Sequence, residues 1–202
     1  MFVKICGLST EEHVQVAVNA GADAVGFVFA DSVRRIDPAH AAAITGKVSG
    51  AVKKVAVMLH PSNREWQEVL QAFTPDVLQT DAEDFADLDV PASVECWPVY
   101  REGKKVTVTF AENLKVTDTF LYEGARSGSG EAVDWAGAAK VAEHGNMILA
   151  GGLGVENVAE AINAARPFGV DVSSGVETAP GRKDSRLIRD FISAAKAAGN
   201  NL

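Results

Sequence analysis

The chain has 202 residues, of which 47% are hydrophobic, and a formal net charge of −8. This length predicts one domain over residues 1–202, and the acidic balance argues against a nucleic-acid partner, because such proteins usually carry a basic face. No apolar run approaches the roughly 20 residues needed to cross a bilayer, so the pattern does not predict a membrane protein.

Short apolar runs alternate with amphipathic stretches along the chain. Eight apolar runs are predicted to be strands, at residues 2–6, 23–29, 53–59, 76–80, 94–100, 118–123, 146–151 and 169–174. Helices are predicted between and after them, at residues 10–20, 38–48, 62–73, 82–88, 132–143, 155–165 and 184–198. Residues 104–117 interrupt this rhythm, because they are β-rich where a crossover helix is expected.

Strands that alternate with helices form a parallel sheet, and eight such units are the number in a (β/α)₈ barrel. The predicted fold class is therefore α/β, a single (β/α)₈ TIM barrel of minimal size with an irregular or missing helix after strand 5. A doubly wound open sheet is the alternative. In a barrel, the carboxyl ends of the strands form the active face, so residues at those ends are the first functional candidates.

Glycine- and serine-rich turns follow the last two predicted strands. Strand 7 runs into Gly151 and Gly152 and opens directly onto a helix, and strand 8 runs into Ser173, Ser174 and Gly175. Paired glycines let the backbone approach an anion, and a helix N-terminus offers unpaired N–H groups and a positive dipole end. These turns predict a phosphate site, with tight turns of no ligand-binding role as the alternative.

Two cysteines have different predicted positions. Cys6 ends strand 1, where it is either an inert buried side chain or a thiolate base or nucleophile whose pKa a neighbouring charge lowers. Cys96 lies early in strand 5 and is predicted to belong to the core. They lack disulfide or metal spacing, and the four histidines form no metal pattern. We therefore expect a reducing, cytoplasmic location and no metal site.

Three charged residues are further candidates. Glu123 ends strand 6 and is either an ordinary polar strand end or a catalytic acid facing a pocket. Arg34 follows strand 2, where its planar guanidinium could bind a carboxylate in a bidentate manner or simply face solvent. Asp171 lies inside apolar strand 8 and needs a partner, so it either pairs with Lys4 inside the barrel or contacts the substrate.

Five segments occur in order along the chain: KICGLST (4–10), GADAVGFVFADSVRRI (21–36), LYEGARSGSGEAVDW (121–135), ILAGGLGVENV (148–158) and VDVSSGVETAPGRKD (170–184). Together they closely resemble phosphoribosylanthranilate isomerase of tryptophan biosynthesis, whereas residues 47–117 match weakly. The resemblance implies an Amadori rearrangement of N-(5-phosphoribosyl)anthranilate to 1-(2-carboxyphenylamino)-1-deoxyribulose 5-phosphate without a cofactor. It also implies a small phosphorylated substrate as partner and a monomer or homodimer.

The same resemblance implies roles for individual residues. The cysteine of the family's KICG motif is the general base, which corresponds to Cys6, and the arginine that faces the anthranilate carboxylate corresponds to Arg34. The GGL turn (151–153) and the SSG turn (173–175) hold the phosphate. Gly130 and Asp171 are also expected to contact the substrate.

This sequence departs from the family pattern at two strand ends. The family's Gln-Leu-His-Gly after strand 4 is replaced by Leu-Gln-Thr-Asp at residues 78–81. The general acid that ends strand 6 is an aspartate in the family, and Glu123 stands in its place here. The carboxyl group of a glutamate lies one methylene further from the backbone, and a misplacement of about 1 Å can cost on the order of 100-fold in rate.

Two other functions are compatible with such a barrel. The first is the aminoaldose isomerase of histidine biosynthesis, which catalyses the same rearrangement but usually has two phosphate sites and an aspartate at the end of strand 1. Cys6 stands at that position here. The second is a non-catalytic phosphate-binding barrel.

Overall fold

The computed structural model describes residues 1–103, 118–124 and 133–200, in which eight parallel strands form a closed barrel in chain order. The strands are β1 (Phe2–Cys6), β2 (Ala24–Val28), β3 (Lys53–Val57), β4 (Val77–Asp81), β5 (Glu95–Arg101), β6 (Thr119–Glu123), β7 (Asn146–Leu149) and β8 (Gly169–Val172). Closure comes from the pairing of β1 with β8, which sets Lys4 opposite Asp171. The (β/α)₈ barrel is confirmed, and the open sheet is excluded because an open sheet leaves its edge strands unpaired.

Helices follow the strands on the outside of the barrel. Those in the described ranges are α1 (Glu11–Asn19), α2 (Pro38–Thr45), α3 (Asn63–Phe73), α4 (Trp135–Ala142), α5 (Val158–Ala165) and α6 (Ser185–Gly199). The predicted helix at 82–88 is a short 3-10 helix, Ala82–Asp87. The expectation of an irregular or missing helix after strand 5 rests on residues 104–117, which lie outside the described residues.

N-cap side chains explain where several of the helices begin. In α3, Ser62 accepts a hydrogen bond from the Glu65 amide at 3.3 Å, and the Glu65 carboxylate accepts one from the Ser62 amide at 2.8 Å. This reciprocal pair satisfies two amides that the helix cannot pair internally. At the starts of α4 and α6, the side chains of Asp134 and Asp184 each accept hydrogen bonds from two backbone amides of the first turn.

The core has two layers, because parallel strands covered by helices are buried on both faces. The outer layer packs strands against helices and includes Phe27, Trp66 and Phe191. The inner layer fills the barrel, and its members are Ala24, Val55, Val77, Trp97, Val99, Leu121, Ile148 and Ala150. Among the described residues, this packed interior fills the barrel below the carboxyl ends of its strands.

Two features differ from the sequence predictions. A short antiparallel hairpin, β9 (Glu177–Ala179) and β10 (Arg182–Lys183), follows β8 where no element was predicted, because its strands are too short to show alternation. The prediction that Cys96 is a core residue is wrong: it is exposed, because its neighbour Trp97 packs into the barrel interior and Cys96 lines a surface pocket on the outer face. No helix in the described part of the chain is both long enough and apolar enough to span a bilayer.

Candidate active site

A cavity of about 210 Å³ opens at the carboxyl ends of the barrel strands. Its wall combines residues that the sequence places far apart. The predicted site residues that line it are Cys6, Arg34, Glu123, Gly151, Gly152, Asp171, Ser173 and Ser174. Gly130 lies outside the described residues. Gly175 is not among the described residues that line the cavity.

Cys6 lies at the base of this cavity beside a buried ion pair. Lys4 is fully buried and its Nζ donates to Asp171 Oδ1 at 2.9 Å, so the predicted pairing inside the barrel exists while Asp171 also borders the cavity. Burial raises the pKa of the Cys6 thiol, although the Lys4 and Lys183 cations act in the opposite direction. Gly26 on β2 makes room for this cluster: a Cβ there would lie 3.1 Å from both Cys6 Sγ and Lys4 Nζ.

Arg34 is held at the cavity by a carboxylate that was not among the predicted site residues. Its Nε and Nη2 donate to the two carboxylate oxygens of Glu177, at 2.7 and 2.9 Å. Lys183 on β10 donates to the same carboxylate at 2.7 Å. Glu177 therefore orients Arg34 and balances two cations, which is the structural role of the β9–β10 hairpin at this site.

The charge state of Glu177 links this cluster to acid stability. Burial favours the neutral carboxyl group, but the hydrogen bonds from Arg34 and Lys183 outweigh it and lower the pKa of Glu177 to about 2. A carboxyl group with a lowered pKa stabilises the fold above its unfolded-state value near 4.5, and this contribution is lost as the pH falls from about 4.5 towards 2.

We therefore expect Glu177→Gln to make the free energy of unfolding less dependent on pH below about 4.5. The loss between pH 5 and pH 2.5 should be smaller than in the wild type by up to about 2 kcal/mol. At pH 7 the variant should be less stable, because the buried Lys183 and the partly buried Arg34 lose their anionic partner. Urea unfolding at both pH values measures this, with Glu160→Gln, an exposed position on α5, as control. An unchanged acid dependence in Glu177→Gln contradicts the assignment.

The turn after β7 has a backbone suited to an anion. Gly151 and Gly152 have φ values of 93° and 63°, a region that glycine adopts without strain. Asn157 fixes the turn from the start of α5: its side-chain amide donates to the Gly152 carbonyl, and its carbonyl accepts from the Gly154 amide, both at 2.8 Å. These two hydrogen bonds hold the turn in place at the cavity wall.

The turn after β8 packs against it. A backbone bridge joins Gly154 to Gly175, and a Cβ at Gly175 would lie 2.0 Å from the Leu153 carbonyl oxygen, so only glycine fits. Ser173 Oγ donates to the Cys6 carbonyl at 3.2 Å and accepts from Lys183 Nζ at 3.1 Å. Ser173 thus also ties the β8 turn to β1.

Glu123 lies at the opposite wall in a second charged cluster. Arg101, the last residue of β5, is its neighbour across the β5–β6 pairing, and its Nη1 donates to Glu123 Oε1. The same guanidinium donates to both oxygens of Asp81 at the end of β4, from Nη2 at 2.5 Å and from Nε at 3.3 Å. Arg101 and Asp81 are 7% and 2% exposed, so this pairing is shielded from water.

Four contributors to the site were not predicted as such: Arg101, Asn157, Glu177 and Lys183. Glu177 and Lys183 belong to the segment VETAPGRKD, and the resemblance of this segment to the family could have indicated that they lie near the site. Arg101 lies within residues 47–117, which match the family weakly, and it follows the predicted strand at 94–100, so it was not a candidate.

Comparison with known proteins identifies the family. The model of the N-(5′-phosphoribosyl)anthranilate (PRA) isomerase family matches residues 3–194. The N-(5′-phosphoribosyl)anthranilate isomerase of Streptococcus gordonii is 38% identical over 198 residues, which cover 96% of this chain and 97% of that protein.

Solved structures agree with this match. The phosphoribosyl anthranilate isomerase of Thermus thermophilus superposes with a TM-score of 0.84 at 31% identity, covering 98% of this chain and 99% of that one. A phosphoribosyl anthranilate isomerase in complex with reduced 1-(o-carboxyphenylamino)-1-deoxyribulose 5-phosphate gives a TM-score of 0.81 at 29% identity, with the same coverage. The chain belongs to the N-(5′-phosphoribosyl)anthranilate isomerase family.

Proposed function

We propose that this chain is the aldose–ketose isomerase that converts N-(5′-phosphoribosyl)anthranilate to 1-(2-carboxyphenylamino)-1-deoxyribulose 5-phosphate in tryptophan biosynthesis. One observation carries the proposal beyond family membership. Cys6 and Glu123, a base and an acid candidate from β1 and β6, line the same cavity as Arg34 and the glycine turn after β7. The substrate class has matching groups, namely a proton to remove, an oxygen to protonate, a carboxylate and a phosphate.

The reaction needs an acid first and a base second. Glu123 in its protonated form donates to the ring oxygen as the C1′–O bond breaks, and the nitrogen lone pair forms the C1′=N bond of a Schiff base. The Cys6 thiolate then removes the proton from C2′, and the electron pair moves towards nitrogen to give an enolamine. Tautomerisation of the enolamine gives the ketone, so atoms and electrons balance without an external oxidant or reductant.

The rest of the cavity supplies binding groups for the two ends of the substrate. The turn after β7 offers the glycine backbone of Gly151 and Gly152 to the phosphate, since glycine permits close approach of an anion. The turn after β8 offers Ser173 and Ser174, which line the same cavity. Arg34 faces the anthranilate carboxylate. Glu177 already holds Nε and Nη2 of Arg34, so we assign the remaining amino group, Nη1, to the substrate.

Turnover and complementation test the proposed function. The purified chain should convert N-(5′-phosphoribosyl)anthranilate to the ketose product, and its gene should restore growth without tryptophan to a host that lacks this isomerase. Tight binding of the reduced product analogue without turnover would instead favour the non-catalytic phosphate-binding barrel. Turnover of the histidine-pathway aminoaldose alone would favour that isomerase.

We also infer a cytoplasmic location, because neither cysteine has a partner spacing for a disulfide and the substrate is an intracellular type of phosphorylated metabolite. The chain acts as a monomer or a homodimer, and sedimentation velocity distinguishes the two.

A further inference from the structure

Three charged side chains from consecutive strands meet at the barrel mouth. Asp81 ends β4, Arg101 ends β5 and Glu123 ends β6. One guanidinium joins them: it contacts both oxygens of Asp81 on one side and Oε1 of Glu123 on the other. Both positions where this chain departs from the family pattern at a strand end, Asp81 and Glu123, therefore belong to one cluster.

We propose that Asp81 and Arg101 are positioning residues for Glu123, which fix its longer side chain at the cavity and offset charge so that it can carry the transferred proton. This inference rests on the proposed role of Glu123 as the general acid. It explains why a glutamate can stand where an aspartate is usual: the extra methylene is accommodated by an anchor on the neighbouring strand.

The positioning follows from the geometry of Arg101. Its planar guanidinium is orientated by the two-point contact with Asp81, and both residues are buried in the barrel wall. A glutamate side chain otherwise samples several rotamers, and ordering it costs entropy. A fixed donor at Oε1 removes that freedom and assigns the transferable proton to Oε2.

The charge balance follows from the number of partners. An arginine beside a single carboxyl group favours the carboxylate, which opposes proton donation. Here the same arginine also pairs with Asp81, so the cluster has two carboxylates for one guanidinium. The negative charge of Asp81 favours proton uptake by the cluster. In this proposal the proton is held on Glu123, which lines the cavity.

Other ionisable groups lie around the same cavity. The Lys4–Asp171 pair is internally neutral, and Arg34 is offset by Glu177. His60, in the loop after β3, has its Nε2 3.7 Å from Asp81 Oδ2, and its hydrogen bond to Asp84 raises its pKa. Further ionisable groups of the described residues near the cavity include Cys6 on β1, Asp31 in the loop after β2, Lys183 on β10 and Glu102, whose amide donates to the Glu123 carbonyl.

Asp81→Asn tests the charge balance, because it keeps the shape and one acceptor but removes the offsetting charge. The kcat profile should be bell-shaped, with one limb set by Glu123 and the other by Cys6. The Glu123 limb should move to lower pH by about one unit, and kcat should be about tenfold lower on the alkaline side of that limb. The limb set by Cys6 and the KM should stay close to wild type. A purely structural role for Asp81 would lower kcat equally at every pH.

A double variant provides the second measurement and avoids a buried unpaired charge. In Asp81→Asn/Arg101→Gln both charges are gone, so the Glu123 limb should lie within about half a pH unit of its wild-type position. The kcat should nevertheless stay low, because Arg101 no longer holds Glu123. Asp87→Asn removes the same charge at an exposed position of the 3-10 helix and should leave both limbs unchanged.

Two results overturn the proposal. One is an Asp81→Asn profile with both limbs at their wild-type positions. The other is an upward shift of more than about one unit in the double variant, which would mean that Asp81 does not offset Arg101 in the wild type.

A carboxyl-carbon NMR titration separates this inference from the proposed function. The Glu123 signal is assigned by its loss in Glu123→Gln, and its midpoint should fall in Asp81→Asn whether or not the protein turns over the substrate. Normal wild-type turnover with an unchanged midpoint overturns the inference and leaves the proposed function intact. Absent turnover with a lowered midpoint refutes the function while the charge balance stands.

Discussion

Glu123→Gln is expected to lower kcat by about 100- to 10,000-fold while KM changes little, because general acid catalysis contributes a factor of that size. The glutamine keeps the shape of the side chain and can still accept a hydrogen bond from Arg101, but it cannot donate a proton to the ring oxygen. Steady-state kinetics with N-(5′-phosphoribosyl)anthranilate and growth of the complemented host both measure the loss.

The matched control is Glu143→Gln, the same change at an exposed glutamate at the end of α4, which should have wild-type activity. Kinetics of Glu123→Gln within about threefold of the wild type would remove Glu123 from the mechanism, because a missing acid costs far more. It would also remove the basis for the positioning roles of Asp81 and Arg101.

Cys6→Ala is expected to lower kcat by a similar factor, about 100- to 10,000-fold, because it removes the proposed general base and general base catalysis contributes a factor of that size. The pKa of the Cys6 thiol is raised by burial, and the base must be deprotonated to act. The Cys6 limb of the kcat/KM profile should therefore lie above the pKa of an ordinary solvent-exposed thiol.

Cys96→Ala is the control for this variant, since Cys96 is exposed on the outside of the barrel and should be dispensable. Thiol-specific labelling should likewise modify Cys96 much faster than Cys6. Retention of near wild-type turnover by Cys6→Ala would show that the proton at C2′ is removed by another group.

Much of the fold could be read from local sequence, because each strand and helix carries its own signal. Apolar runs bounded by turn residues predicted all eight strands to within a few residues, and the Ser62–Glu65 pair marks the start of α3. The hairpin β9–β10 lacked such a signal: its two strands have only three and two residues.

The site was predictable in the same uneven way. Cys6, Arg34, Glu123 and the glycine turns after β7 all follow strands, and a barrel brings the carboxyl ends of its strands to one face whatever their separation along the chain. The alternatives for Asp171 could not be separated from sequence. The structure shows that it both pairs with Lys4 and borders the cavity, since β8 closes against β1.

The sequence by itself determined the strand and helix periodicity, the strand ends that carry reactive groups and the glycine turns, because these depend on residues near one another in the chain. Only the tertiary structure decided how charges are partnered. Arg34 and Glu177 are 143 positions apart, and Arg101 joins Asp81 to Glu123 across two strand pairings. Such contacts depend on barrel register and closure, and they determine which carboxyl group is tied to a cation and which can carry a proton.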